Sequence, residues 1–344
     1  MKKIVLVIKD AYSYAGTENI CNFMSECFGE QHEVTIYSLE GSGKPFYPFN
    51  QVQQIVSFNG EKNPLKAAVN KIHQQQFDAV FLISMGRLSV MFALYSMMSM
   101  KKKPARVYAC EHVAINSFSK PIKLLKYLAL RYYDRVIVLT DKDHQVFNGW
   151  NIPSKTIPNP VVYKNLQRTQ RHYQALAVGR LDHQKGFDLL LDVWQGFVAT
   201  HPDWKLVIAG DGELKEALVA QAARLNISDS VNFVGRVSNI NDYYRDSDMA
   251  LMTSRYEGLP LVLLEAKSWS LPVVAYDCPT GPQEIINHEK DGFLVAMNDR
   301  ARFIDCMNQL AHDDALFYAM SAATQTTSRK FDGKVIKESW LSLL

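Results

Sequence analysis

Short apolar runs, rich in Val and Ile and nearly free of polar alternation, recur along this chain and constrain its fold more than any other feature. KIVLVI, EVTIYSL, DAVFLIS, RVYAC and RVIVLT come first; ALAVGR, KLVIAG, VNFVG, DMALMT and PVVAY follow. Runs of this length suit strands covered on both faces, as in a parallel sheet. Longer helical segments such as FDLLLDVWQGFVA and GELKEALVAQAARLN separate them. Alternating strand and helix over 344 residues, more than one core usually serves, predicts two doubly wound, Rossmann-like α/β domains.

Between the two series, IPNPVVYKNLQRTQRHYQ is polar and loses periodicity after its prolines. The junction is therefore expected near residue 165, giving an N-terminal domain over 1–165 and a C-terminal domain over 166–325. Residues 326–344 read as a final helix turning back toward the N-terminal domain, with Phe331, Val335, Ile336 and Trp340 for packing.

Composition excludes more than it assigns. A net charge of +3 is too small to argue for nucleic acid. Five cysteines, an odd number without a CxxC pair, favour a reducing compartment and no structural zinc. No export signal is expected, because the apolar run of MKKIVLVIKD stops at Lys9 and Asp10. SVMFALYSMMSM is too short to span a bilayer and reads as a buried helix. The expected location is cytoplasmic, with at most peripheral contact at the inner face of the membrane.

In sheets of this kind ligands sit beyond the carboxyl ends of the strands, so the following loops carry the function. After the first strand, KDAYSYAGTEN holds one glycine, Gly16, and lacks the G-x-G-x-x-G of dinucleotide enzymes. Gly16 is either a turn or a point of close backbone approach to a ligand. Glu111 and His112 follow RVYAC; a lone histidine there is a packed residue or a catalytic one. Arg180 ends ALAVGR and Lys185 follows beside Gly186, a pair that reads as an anion site or as two surface bases. No DxD-type metal motif stands at a strand end, so no cofactor and no divalent cation are expected.

SRYEGLPLVLLEA joins a strand to a helix with Pro260 in the first turn, and the N–H groups of Gly258 and Leu259 are free to meet a phosphate. A rise of about 1.5 Å per residue puts Glu265 roughly 10–12 Å from Glu257. That is too far for one proton transfer and suited to gripping two polyhydroxylated groups on either side of a phosphate.

Glu257, seven residues, Glu265 and then Ala266 resemble the signature of retaining glycosyltransferase family 4, of GT-B fold. VGRLDHQKG, LVIAGDGELKEAL, VNFVGRV, YEGLPLVLLEA, DCPTGPQEII and DGFLV fall in that family's order and spacing. The resemblance implies two domains facing a crevice and transfer of a sugar from a nucleotide diphosphate with retained configuration. It implies that Arg180 and Lys185 bind the donor diphosphate and that Glu265 holds the ribose. It places Glu257 and His112 by the donor sugar, and Gly16 beside diphosphate and acceptor. Val234, Gly235 and Val237 would line the base pocket with backbone. Many members have Gly-Gly where this chain has Ala15-Gly16. DCPTGP in place of the commoner Gly-Gly-x-Pro-Glu resembles a subgroup moving hexoses or N-acetylhexosamines from UDP onto lipid-linked oligosaccharides, lipopolysaccharide cores or capsule repeats. The alternatives are a sugar-nucleotide epimerase of the same architecture and a non-enzymatic bilobal sugar-binding protein.

One helix bears on the acceptor side. In SKPIKLLKYLALRYYD, Lys120, Lys123, Lys126 and Arg131 fall within an arc of roughly 140°, with Ile122, Leu125, Leu128 and Ala129 opposite. It is either a scaffold helix with a solvated basic face, or a cationic face that meets anionic lipid or the diphosphate of a lipid-linked glycan acceptor.

Overall fold

The computed structural model describes residues 1–13, 16–99, 103–104, 106–164, 166–327 and 329–344. The chain divides into two compact units, Met1–Pro160 with Lys334–Leu344, and Val161–Gly333. The junction thus falls ahead of residue 165, and the C-terminal segment joins the first unit from Lys334 rather than 326.

Unit 1 runs β1 (Lys3–Asp10), α1 (Gly16–Gly29), β2 (Glu33–Glu40), β3 (Gln54–Ser57), α2 (Pro64–Gln75), β4 (Ala79–Ser84) and α3 (Arg87–Met98). It continues with β5 (Val107–Glu111), α4 (Lys120–Ala129), β6 (Arg135–Val138), α5 (Asp141–Gly149) and β7 (Ser154–Thr156). The sheet is parallel, in the order β3-β2-β1-β4-β5-β6-β7. All six residues of β4 are buried, as coverage on both faces requires.

Unit 2 runs β8 (Gln174–Val178), α6 (Phe187–Val198), β9 (Lys205–Ala209), α7 (Lys215–Arg224), β10 (Val231–Gly235) and α8 (Ile240–Arg245). Then come β11 (Met249–Met252), α9 (Leu261–Ser268), β12 (Val273–Tyr276), α10 (Pro282–Ile285), β13 (Gly292–Val295), α11 (Arg300–His312) and α12 (Asp314–Thr327). Its parallel sheet has the order β10-β9-β8-β11-β12-β13. Strands β3, β7 and β13 escape the sequence reading. They are edge strands of 4, 3 and 4 residues, and a strand with one neighbour needs no long apolar run.

Helix α13 (Gly333–Leu341) closes the chain on unit 1. Ile336 and Trp340, one turn apart, are buried, and the Trp340 ring meets Phe28 and Phe81 edge-on at 6.4 and 6.1 Å. The Tyr108 hydroxyl donates to the Leu343 carbonyl at 2.6 Å. Val335, expected to pack, is exposed, and Phe331 is buried within unit 2, where its carbonyl accepts from the Val161 N–H at 2.8 Å. A second expectation changes too: SVMFALYSMMSM contributes to α3, but Met91, Met97 and Met98 are exposed, so the helix buries one side only. Met100, its last residue, lies outside the described residues.

Candidate active site

In unit 2, the chain leaves β8 toward β9 on one side and reaches β11 on the other, so β8 and β11 are neighbours where the strand order reverses. Ligands bind at such switch points, beyond the carboxyl ends of the strands. The loops after these two strands carry Arg180, Lys185 and Glu257, and they are stitched together. The Lys185 ammonium donates to the Glu257 carboxylate at 2.7 Å, both side chains largely buried. The Arg255 guanidinium grips Asp188 with both nitrogens, at 2.9 and 2.6 Å, and holds its carboxyl below the usual range. The Gln184 carbonyl accepts from the Arg255 N–H at 2.8 Å. Gly186 allows this closeness. Its φ is +64°, and a Cβ there would lie 2.3 Å from the Thr253 carbonyl oxygen.

The other cation is held separately. Arg180 is largely exposed and turns to Asp182, at 3.1 Å, and to Gln184, at 3.4 Å. The structure therefore partners Arg180 and Lys185 with different groups rather than with a common one.

A third loop fixes the Glu257 turn. The Thr280 hydroxyl donates to the Glu257 carbonyl. Thr280 holds φ at +64°, a conformation rare for a β-branched residue. Gly281, at φ +91°, could carry no side chain, because a Cβ would stand 2.4 Å from the Gly258 carbonyl oxygen. Gly258 is half-buried and Leu259 buried, and both precede the helix. Pro260 is the N-cap of α9 rather than a residue of its first turn. The helix start therefore frees the N–H groups of Leu261 and Val262, which follow the Gly258 and Leu259 N–H groups expected as phosphate donors.

Glu265 sits within α9, and its carboxylate accepts from the Tyr244 hydroxyl at 2.8 Å. Burial raises its pKa, and the Tyr244 hydrogen bond opposes that rise. Val234 and Gly235 end β10 at a register shift, Gly235 with φ +71° and open space where a Cβ would be. The Gly235 carbonyl accepts from the Gly210 N–H at 2.9 Å, and Val237 beyond it is half-buried.

In unit 1, Gly16 opens α1 and is exposed; Ala15, the departure from Gly-Gly, lies outside the described residues. Glu18 behind it is buried and accepts from Thr17 at 2.8 Å and Ser13 at 3.2 Å. His112 leaves the end of β5, its N–H bonded to the Ser84 carbonyl at 2.9 Å. Its Nε2 is buried and has no hydrogen-bond partner among the described residues. Burial lowers the imidazole to about 4, so the ring is neutral at pH 7.

Next to it, Glu111 accepts from the Lys126 ammonium at 2.6 Å and from the Ser89 hydroxyl. Lys126 is wholly buried and also lies over the Phe118 ring at 4.9 Å. This takes Lys126 out of the basic face read from the sequence. Lys123 is half-buried on Asn116 at 3.2 Å, and Arg131 spends its donors on the carbonyls of Tyr127 and Trp150. Only Lys120 stands clear on α4. Ile122, Leu125 and Leu128, placed on the inner side by periodicity, are exposed, and only Ala129 of that set is buried.

The sequence reading missed Arg255 with Asp188, Tyr244 with Glu265, and the inward role of Lys126. The one available signal was Arg255, immediately before the Tyr-Glu-Gly turn. Nothing local marks a tyrosine on α8 as a partner of α9.

The profile of glycosyl transferases group 1 matches residues 163–328. Over its whole length the chain is 33% identical to the amylovoran biosynthesis glycosyltransferase AmsD of Erwinia amylovora, also covered in full. It is 24% identical, over all of this chain and 98% of the other, to a Campylobacter jejuni enzyme. That relative is named GalNAc-alpha-(1->4)-GalNAc-alpha-(1->3)-diNAcBac-PP-undecaprenol alpha-1,4-N-acetyl-D-galactosaminyltransferase. Among solved structures, Alr3699/HepE of Anabaena in complex with UDP superposes with a TM-score of 0.80 at 19% identity, both chains fully covered. TarM superposes with a TM-score of 0.83 at 16% identity over all of this chain and 98% of the other. At these identities the superpositions speak to fold, and the fold is GT-B.

Proposed function

Because the chain belongs to the glycosyl transferases group 1 and is a GT-B glycosyltransferase, we propose that it moves a hexose or N-acetylhexosamine from a UDP-sugar to a glycan acceptor, with retained configuration. The observation that carries this reading is the Lys185–Glu257 contact at the switch point of unit 2. A cation for a diphosphate and a carboxylate for sugar hydroxyls meet within one hydrogen bond, the carboxylate in the turn that leads into α9, the helix that carries Glu265.

Each residue then has a task. Lys185, Arg180 and the Leu261 and Val262 N–H groups stabilise the charge that develops on the departing diphosphate. Glu265 takes the ribose hydroxyls, and Glu257 orients the donor sugar. Neutral His112, in unit 1, has a buried Nε2 without a partner among the described residues, which leaves it able to hydrogen-bond a sugar hydroxyl. The bond from the anomeric carbon to the diphosphate oxygen breaks as the acceptor oxygen attacks the same face. The acceptor proton passes to a diphosphate oxygen, and UDP leaves. The positive groups supply the electrostatic role that a divalent cation fills elsewhere, so this mechanism includes none.

The names of the relatives support an acceptor in surface-polysaccharide, lipopolysaccharide or lipid-linked oligosaccharide assembly. Epimerisation is disfavoured because Glu257 and Glu265 are engaged with Lys185 and Tyr244, not with each other across one sugar carbon.

The test is a panel of nucleotide sugars with polyprenyl diphosphate oligosaccharides, reading UDP release and product anomer, with and without EDTA. UDP-sugar turnover with an α-linked product that survives EDTA is expected. A product of inverted configuration, or strict dependence on added manganese, would overturn the mechanism.

A further inference from the structure

We propose that His201 and His312 form a binding site for a borderline divalent transition-metal cation such as Zn²⁺, at the end of unit 2 opposite to Lys185 and Glu257. The two Nε2 atoms lie 3.1 Å apart, although the residues are 111 positions apart in the chain. Two imidazoles bound to one tetrahedral Zn²⁺ at about 2.05 Å each hold their nitrogens about 3.3 Å apart. A linear N–H···N bond as long as this contact would set the ring centres about 5.4 Å apart. They stand 4.5 Å apart, so the direct bond between the rings is bent, and a bent bond is a weak one.

The surroundings prepare one ring as a ligand. The Thr200 hydroxyl donates to the Phe197 carbonyl at 3.1 Å. Both groups around His201 Nδ1, that carbonyl at 3.2 Å and the Thr200 oxygen at 2.9 Å, are therefore left to accept. Nδ1 carries the proton and Nε2 the lone pair, the tautomer that binding a metal through Nε2 requires. The His201 ring lies flat against Phe197, at 4.4 Å and 8°, which fixes its direction. Burial lowers the His201 pKa, with the Phe197 bond opposing, and so keeps the ring neutral. His312 is exposed and can turn toward an ion arriving from solvent.

Both histidines stand at helix ends. His312 is the last residue of α11, and His201 follows the last residue of α6 by three positions. Gly196 lets the two helices approach, since a Cβ there would lie 2.5 Å from Ile304 Cδ1. Two helix C-termini, each the negative end of its dipole, favour a cation between them. His201 is also four residues ahead of β9, at the amino end of the sheet, whereas the donor groups lie beyond the carboxyl ends. Arg171 takes Asp314 and the Leu310 carbonyl. No third His, Cys, Asp or Glu joins the pair among the described residues, so water would fill the remaining coordination positions.

This inference does not depend on the donor, the acceptor or the transfer mechanism. It is tested on the full chain, stripped with EDTA, dialysed, titrated with Zn²⁺ by calorimetry, and melted with and without the ion. One equivalent should bind and raise Tm by roughly 2–4 °C at a tenfold excess over Kd. His312→Ala should weaken binding by at least ~10-fold and cancel the Tm rise. Its metal-free melt should match that of the unaltered chain, because the side chain is exposed. His201→Gln should weaken binding to the same degree, while His288→Ala, which removes another exposed histidine, should leave it intact. In EDTA, the His312→Ala variant should turn over donor as fast as the unaltered chain, which separates this site from the donor site. Two results would overturn the proposal. One is an unaltered chain that takes up no Zn²⁺ at equimolar concentration. The other is a His312→Ala variant that binds the ion equally well, the mark of adventitious binding to other histidines.

Discussion

Lys185 and Glu257 come from loops that follow different strands, yet their side chains meet at 2.7 Å with little exposure. Each neutralises the other, so a donor bound as proposed would replace that contact with phosphate on one side and sugar hydroxyls on the other. Residues acting as one unit are not additive when removed. Lys185→Ala should lower kcat/KM by at least ~100-fold, the cost of a strong transition-state charge contact. The Lys185→Ala, Glu257→Ala double variant should lose clearly less than the product of the two single losses. A full cycle of kcat/KM values checks this, and strict multiplicativity would separate the two residues functionally.

Glu265 gives a prediction of opposite sign for stability and binding. Burial raises its pKa in the folded chain above the ordinary 4.5. A carboxyl raised in this way contributes stability that is complete below the unfolded value and lost as pH rises through the folded one. At neutral pH the ionised group is therefore a cost. Glu265→Gln should raise Tm at pH 7 by roughly 2–4 °C, with the gain vanishing as pH falls below the ordinary carboxylate range. The same variant should bind UDP more weakly in calorimetry. A Tm gain that persists unchanged at low pH would assign it to packing instead.

His112 titrates the other way. Its folded pKa of about 4 lies below the ordinary 6.5, so its contribution is complete above 6.5 and is lost as pH falls from there through 4. Denaturant melts of His112→Gln should show a shallower acid loss across that window. Since the ring stays neutral, kcat should show no step attributable to His112 between pH 6 and 8. His112→Ala should reduce transfer more than UDP affinity.

The buried Lys126–Glu111 pair, with side chains 0% and 3% exposed, makes α4 sensitive to a change that its sequence suggests is harmless. Lys126→Ala would leave Glu111 charged and unpaired beneath the helix, at a cost of about 3–5 kcal/mol. Lys120→Ala on the exposed side should cost no more than about 0.5 kcal/mol. Chemical denaturation of the two variants compares them directly.

Thr280 is a positioning residue whose hydroxyl holds the carbonyl of Glu257. Thr280→Val should lower kcat by about 10-fold while nucleotide affinity stays near normal, and Thr280→Ser should restore most of it. Loss of both parameters together, with no rescue by serine, would reduce Thr280 to a loop-folding role.

The alternation of strand and helix was written in the apolar runs, because a strand covered on both faces has no tolerance for polar residues. The candidate positions after β5, β8 and β11 could be placed at strand ends the same way, since a strand's carboxyl end is a local property. Edge strands β3 and β7, QIVS and SKT, left no such trace, and β13 is apolar but only four residues long. Pairings were decided only by the tertiary structure. Lys185 finds Glu257 across a crossover, and Tyr244 finds Glu265 from a neighbouring helix. The orientation of α4 was misread for the same reason. Periodicity locates the polar and apolar sides of a helix, but which side turns inward depends on what waits beneath, and here a buried carboxylate, Glu111, draws Lys126 in and leaves the leucines outside.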